Sequence, residues 1–94
     1  FIRDVTQPHI VVEAIIPDQR MELSKKIGIA ISQIRKSKNI SQEDLAYTCG
    51  IARSYFGSIE RGEKRISVIY LKKITDKLEI TLSDFFKIIE KWQD

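Results

Sequence analysis

From Ser24 onward the apolar positions recur with a period of about 3.6, whereas the first twenty residues follow a different pattern. Ile27, Ala30, Ile31 and Ile34 share one face of a first helix, and Ser24 is suited to cap it. Lys25, Lys26, Arg35 and Lys36 fall off that face, and Lys38-Asn39 supplies a stop. Ser41 opens a second helix, with Glu43 and Asp44 in the first turn where the helix dipole favours negative charge. Leu45, Ala46 and Cys49 are its inward positions, and Gly50 makes the turn. A third helix is predicted from Arg53 to Arg61, anchored by Phe56 and Ile59 and closed at Gly62. Ser67 caps a fourth, burying Val68, Leu71, Ile74 and Leu78, and Thr81 caps a fifth that runs to about Trp92.

Ahead of these helices, Pro8 and Pro17 bracket the run from Ile10 to Ile16, which is rich in β-branched residues and has the length of a strand. The chain therefore divides into an extended or strand-like, flexible arm over 1–20 and a helical body over 21–94. The arm reads either as a loosely attached extension or as a short strand that pairs with another arm, since an unpaired β edge seeks a partner. Met21 is a candidate natural start. The arm carries two Arg against three acidic residues, so the net positive charge resides in the body.

The most informative segment is Gln42 to Ile59. Counted from Gln42, Ala46, Gly50, Phe56 and Ile59 occupy positions 5, 9, 15 and 18. A small residue suits the place where two helices cross, and a glycine suits a tight turn with positive φ. Phe56 and Ile59 anchor the second helix of the pair and leave its opposite face free to enter a major groove.

These residues carry a resemblance. From about Leu23 to Phe86, two thirds of the chain, the sequence is similar to the Cro/C1-type helix-turn-helix regulators, which include phage repressors and restriction–modification controller proteins. The matching stretches are Ser41-Gln42-Glu43-Asp44-Leu45-Ala46, Gly50-Ile51-Ala52-Arg53-Ser54-Tyr55, Ser58-Ile59-Glu60-Arg61-Gly62 and the tail Leu78 to Phe86. The Arg53-Ser54-Tyr55 and Ile59-Glu60-Arg61-Gly62 segments lean towards the controller proteins. The implied fold is all-α, a five-helix lambda-repressor-like domain with an N-terminal extended arm. Four positions depart from the pattern. Ala52 replaces the usual Ser or Thr before the recognition helix, Glu79 the usual Gly after helix 4, and Arg65-Ile66 the usual Asn-Pro.

The resemblance also implies site roles. Arg53, Ser54, Gly57 and Ser58 are expected on the exposed face of the recognition helix as base-reading positions, with Arg53 able to bond guanine O6 and N7 in bidentate fashion. Gln42, Tyr55, Arg61, Lys64 and Arg65 are expected to contact phosphates. Glu60 looks structural, paired with a nearby Arg.

Helix 5 is apolar beyond the needs of one core stripe. Leu82, Phe85, Phe86 and Ile89 satisfy that stripe, while Ile88 and Trp92 fall beside it, and Ile69 and Tyr70 stand where the family is commonly polar. An exposed apolar patch marks an interface, so Ile69, Tyr70, Phe85, Ile88, Ile89 and Trp92 are the candidate dimer contacts. A twofold dimer presents two recognition helices about 34 Å apart, one turn of B-DNA, and reads a pseudo-palindromic operator.

Composition narrows the alternatives. The chain has 94 residues, 43% hydrophobic and 31% charged, with net charge +3, an ordinary globular balance that permits a polyanion partner without demanding one. A single cysteine, Cys49, allows no internal disulfide and fits a reducing cytoplasm, with the thiol as a small core residue. No apolar run approaches the roughly 20 residues that span a bilayer. With His9 as the one histidine, no Gly-rich phosphate loop and no metal-ligand cluster, the sequence offers no catalytic set, cofactor, metal site or small-molecule pocket. The reading is a homodimeric transcriptional regulator whose partners are an operator duplex and, through occupancy, RNA polymerase. The alternative is an antitoxin or adaptor that keeps the fold for protein contacts.

Overall fold

Ser24 does not cap the first helix. In the computed structural model, which describes residues 18–92, α1 runs Asp18–Ser37 and Ser24 is buried within it. The reason lies in the register. Ser24, Ile27, Ile31 and Arg35 share the inward face at helical spacing, so a small serine serves there as a packing residue. The start at Asp18 also places residues 18–20 in a helix where an extended arm was expected. The apolar run Ile10 to Ile16 and His9 lie outside the described residues.

Four further helices follow among the described residues, and three of them begin where their caps predict. The four are α2 (Gln42–Cys49), α3 (Arg53–Glu60), α4 (Val68–Lys77) and α5 (Leu82–Glu90), with no strand among the described residues. The Asp44 N–H donates to Ser41 Oγ at 3.0 Å, that of Tyr70 to Ser67 Oγ at 3.1 Å, and that of Asp84 to Thr81 Oγ1 at 3.0 Å. Each bond satisfies an amide that the helix itself leaves unpaired. Gly50 closes α2 in the left-handed region, as its place in the turn predicts. Ala52 gives α3 no side-chain cap, and Glu79 takes φ +62°, the left-handed conformation its family position requires.

The five helices share one core. Ile27, Ala30 and Ile31 of α1 meet Leu45, Ala46 and Cys49 of α2, Phe56 and Ile59 of α3, Leu71 and Ile74 of α4, and Phe85 and Ile89 of α5. Helix α1 packs on α3 and α5, α2 packs on α3 and α4, and α4 packs on α5. Val68 departs from its predicted burial. It holds the expected stripe position, but it is the first residue of α4, one turn ahead of Leu71, and is 70% exposed.

Two contacts fix α3 against α1. Gly28 is where the backbones touch: a Cβ there would lie 2.5 Å from the carbonyl oxygens of both Ile59 and Glu60. Beside it, Arg35 and Glu60 form a buried bidentate pair, Nε to Oε2 at 2.8 Å and Nη2 to Oε1 at 3.1 Å. The third nitrogen, Nη1, donates to the Ile40 carbonyl at 2.8 Å, so the guanidinium bonds through all its nitrogens. The sequence pattern put Arg35 off the core face. It is buried because Glu60 meets it there, and the pair is the structural partnership expected for Glu60.

Candidate nucleic-acid interface

Helix α3 turns one face inward through Phe56 and Ile59 and presents Arg53 and Ser54, in its first turn, to solvent. One turn on, Gly57 floors a shallow hollow rimmed by Gln42, Arg53, Ser54 and Arg61. The structure therefore brings residues from both the base-reading and the phosphate-contacting sets to one surface. Ser58 is not among them. It is buried, and its hydroxyl donates to the Tyr55 carbonyl at 2.8 Å within the helix, which corrects its expected place on the exposed face. Gly57 is itself covered by its neighbours, and the hollow reaches it because it has no side chain.

The hollow is pre-ordered by hydrogen bonds. Gln42 Nε2 donates to Glu60 Oε1 at 2.9 Å, so the buried Arg35–Glu60 pair also holds the first residue of α2. Arg61 donates through Nε to Glu63 Oε2 at 2.9 Å and through Nη2 to Glu63 Oε1 at 3.1 Å. These bonds, with the attraction of opposite charges, hold the Glu63 carboxyl below the usual carboxylate range and raise the guanidinium above its own. Both side chains are more than half exposed. Lys64 and Arg65 follow in the same exposed turn. Tyr55 is half-buried and packs edge-on against Tyr70, with ring centroids 6.0 Å apart and planes at 62°, while Lys73 lies over the Tyr70 ring at 5.5 Å.

Phe85 and Ile89 are buried in the core at 0% and 1% exposure, so they cannot form a dimer contact in this fold. Helix α5 has more apolar residues than one stripe needs, and the inward stripe is the one that takes these two. Ile69 and Trp92 are exposed, as is Val68, and Tyr70 and Ile88 are half-buried.

Cys49 is buried and donates weakly to the Lys73 carbonyl at 3.8 Å. Burial pushes its thiol up, partly opposed by Lys77 and Lys73, so it stays protonated at neutral pH and behaves as a small core residue. Among the described residues no three His, Cys, Asp or Glu side chains converge on a metal site. No described helix is long and apolar enough to cross a membrane.

Sequence reasoning missed Arg35, Gly28 and Glu63. The first two are defined by the contact of α1 with α3, a long-range event. Glu63 stands two residues after Arg61, a spacing that reads as a plain charged turn until the backbone bends the pair together.

A packed two-helix unit, α2–turn–α3, whose second helix shows an arginine-bearing face to solvent, defines the helix-turn-helix class. The helix-turn-helix family matches residues 31–85, and the chain belongs to that family. It is similar to control protein C.MunI of a Mycoplasma species, 38% identical over 71 residues that cover 74% of this chain and 96% of that protein. It is also similar to control protein C.BamHI of Bacillus amyloliquefaciens, 41% identical over 58 residues, covering 61% of this chain and 72% of the relative. Among solved structures it resembles the restriction-modification controller protein C.Esp1396I, crystallised as a tetramer with its natural 35 base-pair operator. That match has a TM-score of 0.68 and 35% identity, covering 73% of this chain and 91% of that one.

Proposed function

We propose that the protein is a transcriptional regulator that binds a pseudo-palindromic operator as a homodimer, with the first turn of α3 in the major groove. The observation that carries this reading is the hollow on α3. Arg53 and Ser54 are exposed beside Gln42 and Arg61, with no side chain at Gly57 to hold DNA away. Arg53 and Ser54 read base edges, and Gln42 and Tyr55 steady the backbone on either side. Lys64 and Arg65, in the turn after α3, hold flanking phosphates. Ile69 and Trp92, with Val68 beside Ile69 and with the half-buried Tyr70 and Ile88, supply the apolar surface for pairing two chains. A dimer doubles the phosphate contacts, which a chain of net charge +3 needs for useful affinity. The regulator works in the cytoplasm by occupancy, blocking RNA polymerase or recruiting it according to where the operator lies.

Two substitutions separate base reading from charge. Arg53→Ala is expected to cost about 1–3 kcal/mol on the cognate duplex and to relax specificity at one position per half-site. Titrating cognate and scrambled duplexes checks this, and an equal loss on both would remove Arg53 from base readout. Replacing Lys64 and Arg65 together with alanine is expected to weaken binding to every duplex. The slope of log affinity against log salt then flattens by about one unit per lost phosphate contact. An unchanged slope contradicts the phosphate role.

A further inference from the structure

Arg61 is held in an unusual way for a residue whose task is to touch a phosphate. Its Nε–H and one Nη2–H are both taken by Glu63. A guanidinium carries five N–H groups, so what remains is its end, the two Nη1 hydrogens and the second Nη2 hydrogen. That end offers two parallel donors, the arrangement that matches the O6 and N7 acceptors of a guanine.

The position of that end is also defined. Arg53, Gly57 and Arg61 follow one another at i, i+4 and i+8 and so share one face of α3 and its C-terminal cap. Arg61 Nη1 lies 3.2 Å from where a Cβ on Gly57 would stand. The side chain therefore runs back over Gly57 towards the start of the helix, into the hollow it shares with Gln42, Arg53 and Ser54. A carboxylate so close to DNA repels phosphates and lowers general affinity. Its presence beside Arg61 makes sense where orientation matters more than charge.

We propose that Arg61 reads a guanine through the free end of its guanidinium, and that Glu63 is the positioning residue that locks it in that pose. The inference rests on the operator-binding reading above and replaces the phosphate role that family resemblance implies for Arg61. It adds a second G·C contact per half-site, beside that of Arg53, because the Arg61 side chain runs back along the helix into the hollow the two arginines share.

The test uses the full chain, the duplex that the wild-type protein enriches from a randomised pool, every single base-pair variant of that duplex, and a scrambled duplex. Arg61→Ala should lose about 5- to 150-fold on the enriched site. The scrambled duplex should lose much less, only what repulsion from the unpaired Glu63 carboxylate costs, and discrimination should be lost at one G·C pair per half-site. Glu63→Gln should relax that same pair while binding scrambled DNA no more weakly, and should relax nothing further in an Arg61→Ala background. Both side chains are largely exposed, so the variants are expected to fold, and their melting temperatures verify this. Equal losses for Arg61→Ala on all duplexes with a flatter salt slope, or no loss at all, overturn the proposal. So does a Glu63→Gln protein that binds every duplex more tightly without relaxing any position. A wild-type protein that enriches no sequence overturns the operator reading itself, and the inference with it.

Discussion

Replacing Glu60 with alanine is expected to destabilise the protein by about 3–5 kcal/mol, because it leaves the Arg35 guanidinium buried and without its carboxylate. The same change strands the Gln42 amide that bonds to Glu60. For a domain of this size each kcal/mol moves the melting temperature by about 4–8 °C, so thermal unfolding should show a drop of about 12 °C or more. The comparison that isolates the cause is a double variant, Arg35→Met with Glu60→Leu. An apolar pair of similar volume is often neutral or stabilising, since both desolvation costs disappear together. That double variant should therefore recover most of the stability lost by Glu60→Ala, yet bind DNA more weakly because Gln42 has no anchor. A loss below about 1 kcal/mol for Glu60→Ala would place the pair among solvent-screened surface bridges and contradict its role in the fold.

The second large effect is expected at Gly28, where two general rules disagree in sign. Alanine in a helix interior is ordinarily worth about 1 kcal/mol more than glycine. At Gly28 the added methyl would stand 2.5 Å from two carbonyl oxygens at the end of α3, and both are backbone atoms. Overpacking costs about 1–3 kcal/mol and more where backbone must move, so the clash wins. Gly28→Ala should lower stability by about 3 kcal/mol and should also shift α3 relative to α1, weakening DNA binding in the molecules that remain folded. Thermal unfolding decides between the rules: a raised melting temperature would mean that the two helices do not touch there.

Much of this architecture was legible before the structure, and the errors have identifiable causes. Ser41, Ser67 and Thr81 cap as expected because an N-cap is a local event, one side-chain oxygen accepting from an amide three residues on. Ser24 misled because a serine at the edge of an apolar pattern is either a cap or a small packing residue, and only the neighbouring helices decide. Arg53, Ser54, Gln42 and Gly57, positions singled out by the family resemblance, lie together around one hollow in the structure. Ser58 stands one turn after the exposed Ser54 and shares its face by helical spacing, yet its surroundings bury it, which local pattern does not show. Half of the dimer set on helix 5 fails because Phe85 and Ile89 already belong to the core stripe and cannot also serve an interface. The choice of Phe85 and Ile89 follows from what α1 and α4 present to them.

In the proposed function the exposed face of α3 reads bases for a twofold dimer. The most direct test of this is selection of the purified protein on a randomised duplex pool at two salt concentrations, with the retained DNA sequenced. One enriched pseudo-palindrome is expected, with half-sites centred about one helical turn apart and retained at the higher salt. Retention with no enriched sequence, or none even at the lower salt, would contradict the proposed function.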